Sequence, residues 1–372
     1  MDNKRSIYHL AVVTVFVGLL LTFAIIYITG AVIRSRGDTA KTCYDGSVIE
    51  GKGFFRDFSR AVYQSSDTLE RVRKYQYLLF DSPNDRNVIA GSENFLFEIE
   101  DPDNDYDYLA DYLGLERFSD KELAGILRVL QQRKASYAAR GTEYLLVILP
   151  NSQTVYSEYM PANLGDIRET RLDALEDYLL ENGFTDFANL TDELIAAKDT
   201  GLLYNNTENS LNALGLYYVY TSVCARFSDD VMNMTHVIPQ NELVFYQHMT
   251  AGKAVARRAG LADVVPNRTV SLSNDTALRY HKYDVKGTYV SSTTLIPFEG
   301  IQTQSTPSLL LQFSGTWERL QAEPFFSNTF SRVTYQTDFA DDPAIFSATS
   351  PRVVVQFLYE DQLSWLVPHI TA

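Results

Sequence analysis

The chain has 372 residues, a net charge of −15 and only two cysteines. An acidic chain with no Lys/Arg-rich run is a poor binder of a phosphate backbone, which excludes nucleic acid as a partner. Two cysteines cannot build a disulfide framework, nor a structural zinc site without several histidines nearby, and we expect no cofactor. Cys43 and Cys224 are either a pair or two free thiols.

From Ile7 to Ile33 no charged residue interrupts the chain, and Leu10–Tyr27 is apolar on every helical face. A helix rising about 1.5 Å per residue over this stretch spans a bilayer core. The apolar part of a cleaved signal peptide is shorter and ends in small residues, whereas this one runs into Ile33 and Arg34. We therefore expect an uncleaved anchor in the cell membrane with the body on the extracytoplasmic face. Residues 1–34 are the short cytoplasmic tail and transmembrane helix, 35–86 a juxtamembrane region, and 87–372 the folded domain.

Asn87–Glu98 holds two apolar runs around Gly91-Ser-Glu-Asn94, the pattern of a hairpin. Glu98–Asp107 contains six carboxylates, and Asp101, Asp103, Asp105 and Asp107 alternate as in an oxygen-rich calcium loop. Tyr106 and Tyr112 stand where such a loop needs Gly and Glu, so a solvated loop is the plainer reading. Ser119-Asp-Lys-Glu122 is a capping box ahead of Leu123, Ile126, Leu127 and Leu130, with Gly141 as the stop. Glu143–Leu149 is a buried-type strand ending at Pro150. Helices are expected over about Arg168–Asn182 and Leu211–Phe227. Residues 230–305 are strand-and-loop in character and read as an insertion. Strands at Leu309–Phe313, Arg332–Gln336 and Arg352–Leu358 then alternate with helices at Trp317–Phe326 and Asp341–Ala348. That order implies parallel pairing with right-handed crossovers. Sequons begin at Asn189, Asn205, Asn233, Asn267 and Asn274.

In parallel sheets, sites form at the carboxyl ends of strands. Two ends stand out: Pro150-Asn151, and Ser314-Gly-Thr-Trp317, where Ser314 or Thr316 could be a nucleophile on a strand-to-helix turn. An ordinary small-residue turn is the plainer reading of the second.

The order of elements resembles the SGNH-hydrolase-like domain of the alginate O-acetyltransferase AlgX/AlgJ family. The blocks that carry the likeness are Val88–Phe97, Asp111-Tyr-Leu-Gly114, Leu149-Pro-Asn151 with Val155-Tyr156 and Met160-Pro161, Tyr204–Gly215 and Leu309–Trp317. They span roughly three quarters of the chain. DHHW-type proteins share the same layout. The resemblance implies an α/β fold with a helix-flanked parallel sheet, carrying the inserted region, behind one N-terminal transmembrane helix.

The catalytic positions depart from the family. Its hallmark is Asp-Thr-His-Trp-Asn, then two residues, then Gly. Counting back from Gly215, Asn212 keeps the Asn, Ser210 replaces the His and Glu208 replaces the Asp. A serine hydroxyl does not titrate usefully near neutral pH and cannot serve as a general base. In the block that resembles Gly-Asp-Ser-Phe, Thr316 stands for the serine nucleophile, and Ser152 replaces the family lysine after Pro-Asn. Of the remaining histidines, His281 and His369 are the ones that could substitute.

The resemblance therefore implies a membrane-anchored protein associated with O-acetylation of a cell-surface polysaccharide, with a degenerate site that binds or scaffolds. The alternative is an active O-acetyltransferase or acetylesterase using Ser314 or Thr316 with a relocated histidine. A membrane-bound O-acyltransferase is the partner the family implies.

Overall fold

A computed structural model describes residues 77–78, 87–101, 106–162, 164–165, 167–273, 280–284, 290–295, 306–313, 316–337, 339 and 341–368. The chain divides into Met1–Ser82 and Pro83–Ala372, and the sheet and its helices belong to the second unit. The apolar run Ile7–Ile33 lies outside the described residues. Among the described residues no helix is long and apolar enough to cross a membrane.

The expected hairpin forms between β1 (Val88–Ala90) and β2 (Leu96–Glu98), with Ala90 opposite Leu96. Gly91 is required at its turn, because a Cβ there would lie 2.4 Å from the Tyr159 carbonyl. The acidic run forms a short pair, β3 (Glu100–Asp101) with β4 (Tyr106–Asp107). Asp107 caps α1 (Tyr108–Tyr112), accepting from the Ala110 amide at 2.8 Å, so its carboxylate serves a helix end. Asp103 and Asp105 lie outside the described residues.

α2 (Asp120–Ala138) begins at the capping box: the Ser119 hydroxyl accepts from the Glu122 amide, and the Glu122 carboxylate from the Ser119 amide. β5 (Glu143–Leu149), α3 (Ser152–Val155), α4 (Arg171–Glu181) and β6 (Phe187–Asn189) follow. Strand β6 was not legible in the sequence, since three residues are too few for a periodic signal. Next come α5 (Thr191–Ala197), α6 (Ala213–Cys224) and α7 (Asp229–Met232). The middle region supplies β7 (Phe245–Thr250), α8 (Ala254–Arg258), β8 (Asn267–Leu272), β9 (Tyr280–Asp284) and β10 (Val290–Leu295). The chain then alternates through β11 (Ser308–Phe313), α9 (Thr316–Ser327), β12 (Arg332–Gln336), α10 (Pro343–Thr349) and β13 (Val353–Tyr359).

Among the described residues the main sheet has the order β6-β5-β13-β11-β12-β10-β9. Its first five strands pair in parallel, as the alternation of elements requires, and β10 and β9 extend it antiparallel. The region read as an insertion is therefore only partly separate. β7 and β8 form their own antiparallel ribbon, while β9 and β10 complete the edge of the main sheet.

Both faces of the sheet are buried. Leu145, Val147, Val353, Val355, Leu309 and Leu311 join the core with α6 and α9, whereas Leu146, Ile148, Val354 and Leu310 join the core with α2 and α4. Two covered faces explain why these strands read as continuous apolar runs. On the α2 side the runs are broken by Gln336, Gln312 and Gln356, side by side in register on β12, β11 and β13. Gln312 donates to Gln336 at 3.1 Å, and the Gln356 carbonyl accepts from Tyr144 at 2.7 Å and from Arg133. Buried amides that find partners only in one register resist strand slippage.

Candidate functional site

Parallel pairing puts the carboxyl ends of β5, β6, β11, β12 and β13 at one edge. Leu149 of β5 is opposite Tyr359 of β13, so Pro150-Asn151 and Glu360 leave the sheet side by side. Phe313 of β11 is opposite Phe357, and Thr316 opens α9 three residues beyond Phe313. A strand followed by a helix is found there as expected. Ser314 lies outside the described residues.

The loop from Tyr204 to Leu211 is pinched at its base, where those two residues form an antiparallel bridge. The Asn212 amide bonds the Leu203 carbonyl at 2.8 Å and the Asn205 amide the Ser210 carbonyl at 3.0 Å. Inside the loop the Ser210 hydroxyl donates to the Glu208 carboxylate at 3.1 Å and accepts from the Asn205 amide group at 2.8 Å. Glu208 and Ser210 are thus in contact, with a hydroxyl on the carboxylate. The retained Asn212 is the N-cap of α6: its carbonyl accepts from the Leu214 and Gly215 amides, and its amide donates to the Leu202 carbonyl. Gly215 lies where a Cβ would be 2.3 Å from the Leu203 carbonyl, which accounts for glycine at that place.

Neighbouring segments hold the loop from outside. The Asn206 amide group donates to the Asn94 carbonyl at 2.7 Å, and the Leu96 amide to the Asn206 carbonyl at 2.8 Å, tying in the β1–β2 hairpin. Asn267 of β8 donates to Asn205 at 3.3 Å and accepts from Thr207 at 2.9 Å. Asn205 and Asn267 are buried and spent on these bonds, so two of the five sequons are structural. Cys224 is a free thiol, and burial pushes its pKa up; Cys43 lies outside the described residues.

Asn209 links this loop to the sheet edge. Its carbonyl accepts from the Ser152 amide at 2.8 Å, and its amide donates to the Asn151 side chain at 3.0 Å. The Asn151 backbone amide in turn donates to Glu360 Oε2 at 2.8 Å, and the Thr154 hydroxyl donates to the same oxygen at 2.7 Å. Glu360 is 1% exposed. Burial, then the nearby Asp111 carboxylate, push its carboxyl up to about 7. Asp111 itself is neutralised by Arg171 at 2.7 Å and accepts from Tyr106. Tyr108 reaches the neighbouring Asp361 at 2.9 Å.

Sequence reasoning missed Glu360, Thr154 and Arg171. The available signal for Glu360 was an acid placed directly after a strongly apolar, buried-type strand, at the edge where the fold collects its chemistry. Among the described residues no histidine hydrogen-bonds to Glu208 or Ser210. His236 is exposed, and His248 stacks on Tyr246 in the β7–β8 ribbon with ring centroids 5.1 Å apart. His281 falls on β9, the far edge strand of the main sheet, and His369 lies outside the described residues.

The class these features define is an α/β protein whose mainly parallel sheet is flanked by helices, with its candidate site at the strand ends. No family model matches the chain, and no curated protein matches it. Solved structures do. A DHHW family protein from Eubacterium siraeum matches at 12% identity over 76% of this chain and 95% of that one, with a TM-score of 0.50. PatB1 from Bacillus cereus matches at 11% identity over 76% and 97%, with a TM-score of 0.52. The O-acetyltransferase domain of Pseudomonas putida AlgJ matches at 15% identity over 74% and 92%, with a TM-score of 0.45. The resemblance to DHHW-type proteins is thus met by a solved structure, and at this identity it is a likeness of fold.

Proposed function

We propose that this chain is a membrane-anchored extracytoplasmic protein associated with O-acetylation of a cell-surface polysaccharide, and that its strand-end edge binds or scaffolds without turning over. The observation that carries the reading is the Asn205–Ser210–Glu208 set. Where the family places an imidazole against its acid, this chain places a hydroxyl that already accepts one hydrogen bond and donates another. A side chain that must abstract a proton from a nucleophile needs a titrating atom there, and Ser210 has none. The AlgJ name carries an O-acetyltransferase activity, which supports the acetylation link by fold alone. A membrane-bound O-acyltransferase is the partner expected of such a protein.

The test is hydrolysis of an aryl acetate by the full-length chain, with Thr316→Ala and Ser210→Ala beside it. Turnover at background in all three is the expected result. A burst of acetyl-enzyme, or turnover that Thr316→Ala abolishes, would sink the degenerate-site reading.

A further inference from the structure

We infer that Glu360 is a positioning residue of the strand-end edge, and that its ionisation is transmitted through Asn151 and Asn209 to the Glu208–Ser210 loop. This deepens the reading of that edge as the functional one. The path is continuous in hydrogen bonds. Glu360 Oε2 receives the Asn151 amide at 2.8 Å and the Thr154 hydroxyl at 2.7 Å, so one carboxyl oxygen fixes both ends of the turn after β5. The Asn151 side chain receives Asn209, and Asn209 receives the Ser152 amide, so the turn and the loop share a two-way clamp. Asn209 sits between Glu208 and Ser210, and cannot shift without moving both.

The surroundings make the charge on Glu360 consequential. It is 1% exposed, and Asp111 of α1 and the adjacent Asp361 both oppose a negative charge on it. The phenols of Tyr106 and Tyr204 are themselves held neutral by burial, with Glu360 adding to the effect. Arg171, the cation in this group, is already committed to Asp111. The Tyr204 hydroxyl closes the far side by donating to the Pro150 carbonyl at 2.5 Å. A proton on Glu360 therefore leaves that carboxyl neutral and the turn clamped, whereas its loss places a charge with no cation of its own in a buried site beside two carboxylates, which the two donors to Oε2 offset only in part. Loosening of the turn relieves that charge by admitting water.

Amide hydrogen exchange read by mass spectrometry tests the coupling on the full-length chain, as protection factors corrected for intrinsic exchange. Between pH 5 and pH 8 the peptides covering 150–156 and 204–212 should lose protection together, by on the order of 10- to 100-fold. Glu360→Gln, which keeps the accepting oxygen and cannot ionise, should remove the change in both. Asn209→Ala should keep it in 150–156 and remove it from 204–212, a pattern that a merely structural role for Asn209 does not produce. If Glu360→Gln fails to fold, the wild-type and Asn209→Ala profiles decide alone. A pH-independent 204–212 in the wild type, or an unchanged transition in folded Glu360→Gln, overturns the proposal. The readout needs neither ligand nor turnover, so it fails separately from the binding role proposed above.

Discussion

A carboxyl buried beside another carboxylate is a poor place for a charge, and Glu360 carries the consequence into stability. Its pKa stands at about 7 in the folded protein against an ordinary value of 4.5. Between those values the native state binds more protons than the unfolded chain. The contribution is therefore whole below about pH 4.5 and is lost as pH rises through about 7. The span corresponds to on the order of 3 kcal/mol. Chemical denaturation at pH 5 and pH 8 should show the wild type weaker at the higher pH, and Glu360→Gln should flatten most of the difference. Equal slopes in the two proteins would show that Glu360 is ionised throughout. Ser210 illustrates the opposite case at this scale. Its two hydrogen bonds are made within one short loop, to neighbours in sequence, whereas Glu360 owes its character to burial by distant residues.

At the level of elements, Asn212 shows how a motif residue can be kept for the fold. It caps α6 through two backbone amides and straps the pinched loop through the Leu202 carbonyl. Asn212→Ala should cost about 1–2 kcal/mol, the loss of a good cap, measurable as a lowered denaturation midpoint with an unchanged slope. Asn212→Asp keeps the accepting oxygen and should recover part of it. A neutral Asn212→Ala would mean that packing of Leu214, Leu216 and Tyr220 alone holds the helix. The capping box at Ser119, the Gly91 turn and the strands β5, β11 and β13 were legible for a shared reason: each depends on neighbours in sequence. Strand β6 and the joining of β9 and β10 to the main sheet were not, because an edge strand is made by the strand it lies beside.

For the whole molecule, the anchor is the decisive expectation. The run Ile7–Ile33 should keep the chain in membranes through a high-salt wash, with its own N-terminus intact. N-terminal sequencing that begins beyond Ile33 would replace the anchor with a cleaved leader. A net charge of −15 over the whole chain suits a body that stays away from anionic surfaces.

The sequence by itself determined the alternation of strand and helix, the capped start of α2, and the buried character of both sheet faces. These follow from periodicity and capping, which are local and therefore written in consecutive residues. Only the tertiary structure decided that Glu360, from the end of the chain, meets the Asn151 turn from its middle, and that Asn209 joins them to Glu208 and Ser210. The reason is physical: parallel strands bring their carboxyl ends to one edge whatever their separation in sequence, and a carboxyl acquires its proton affinity there from the burial and charges that this meeting creates.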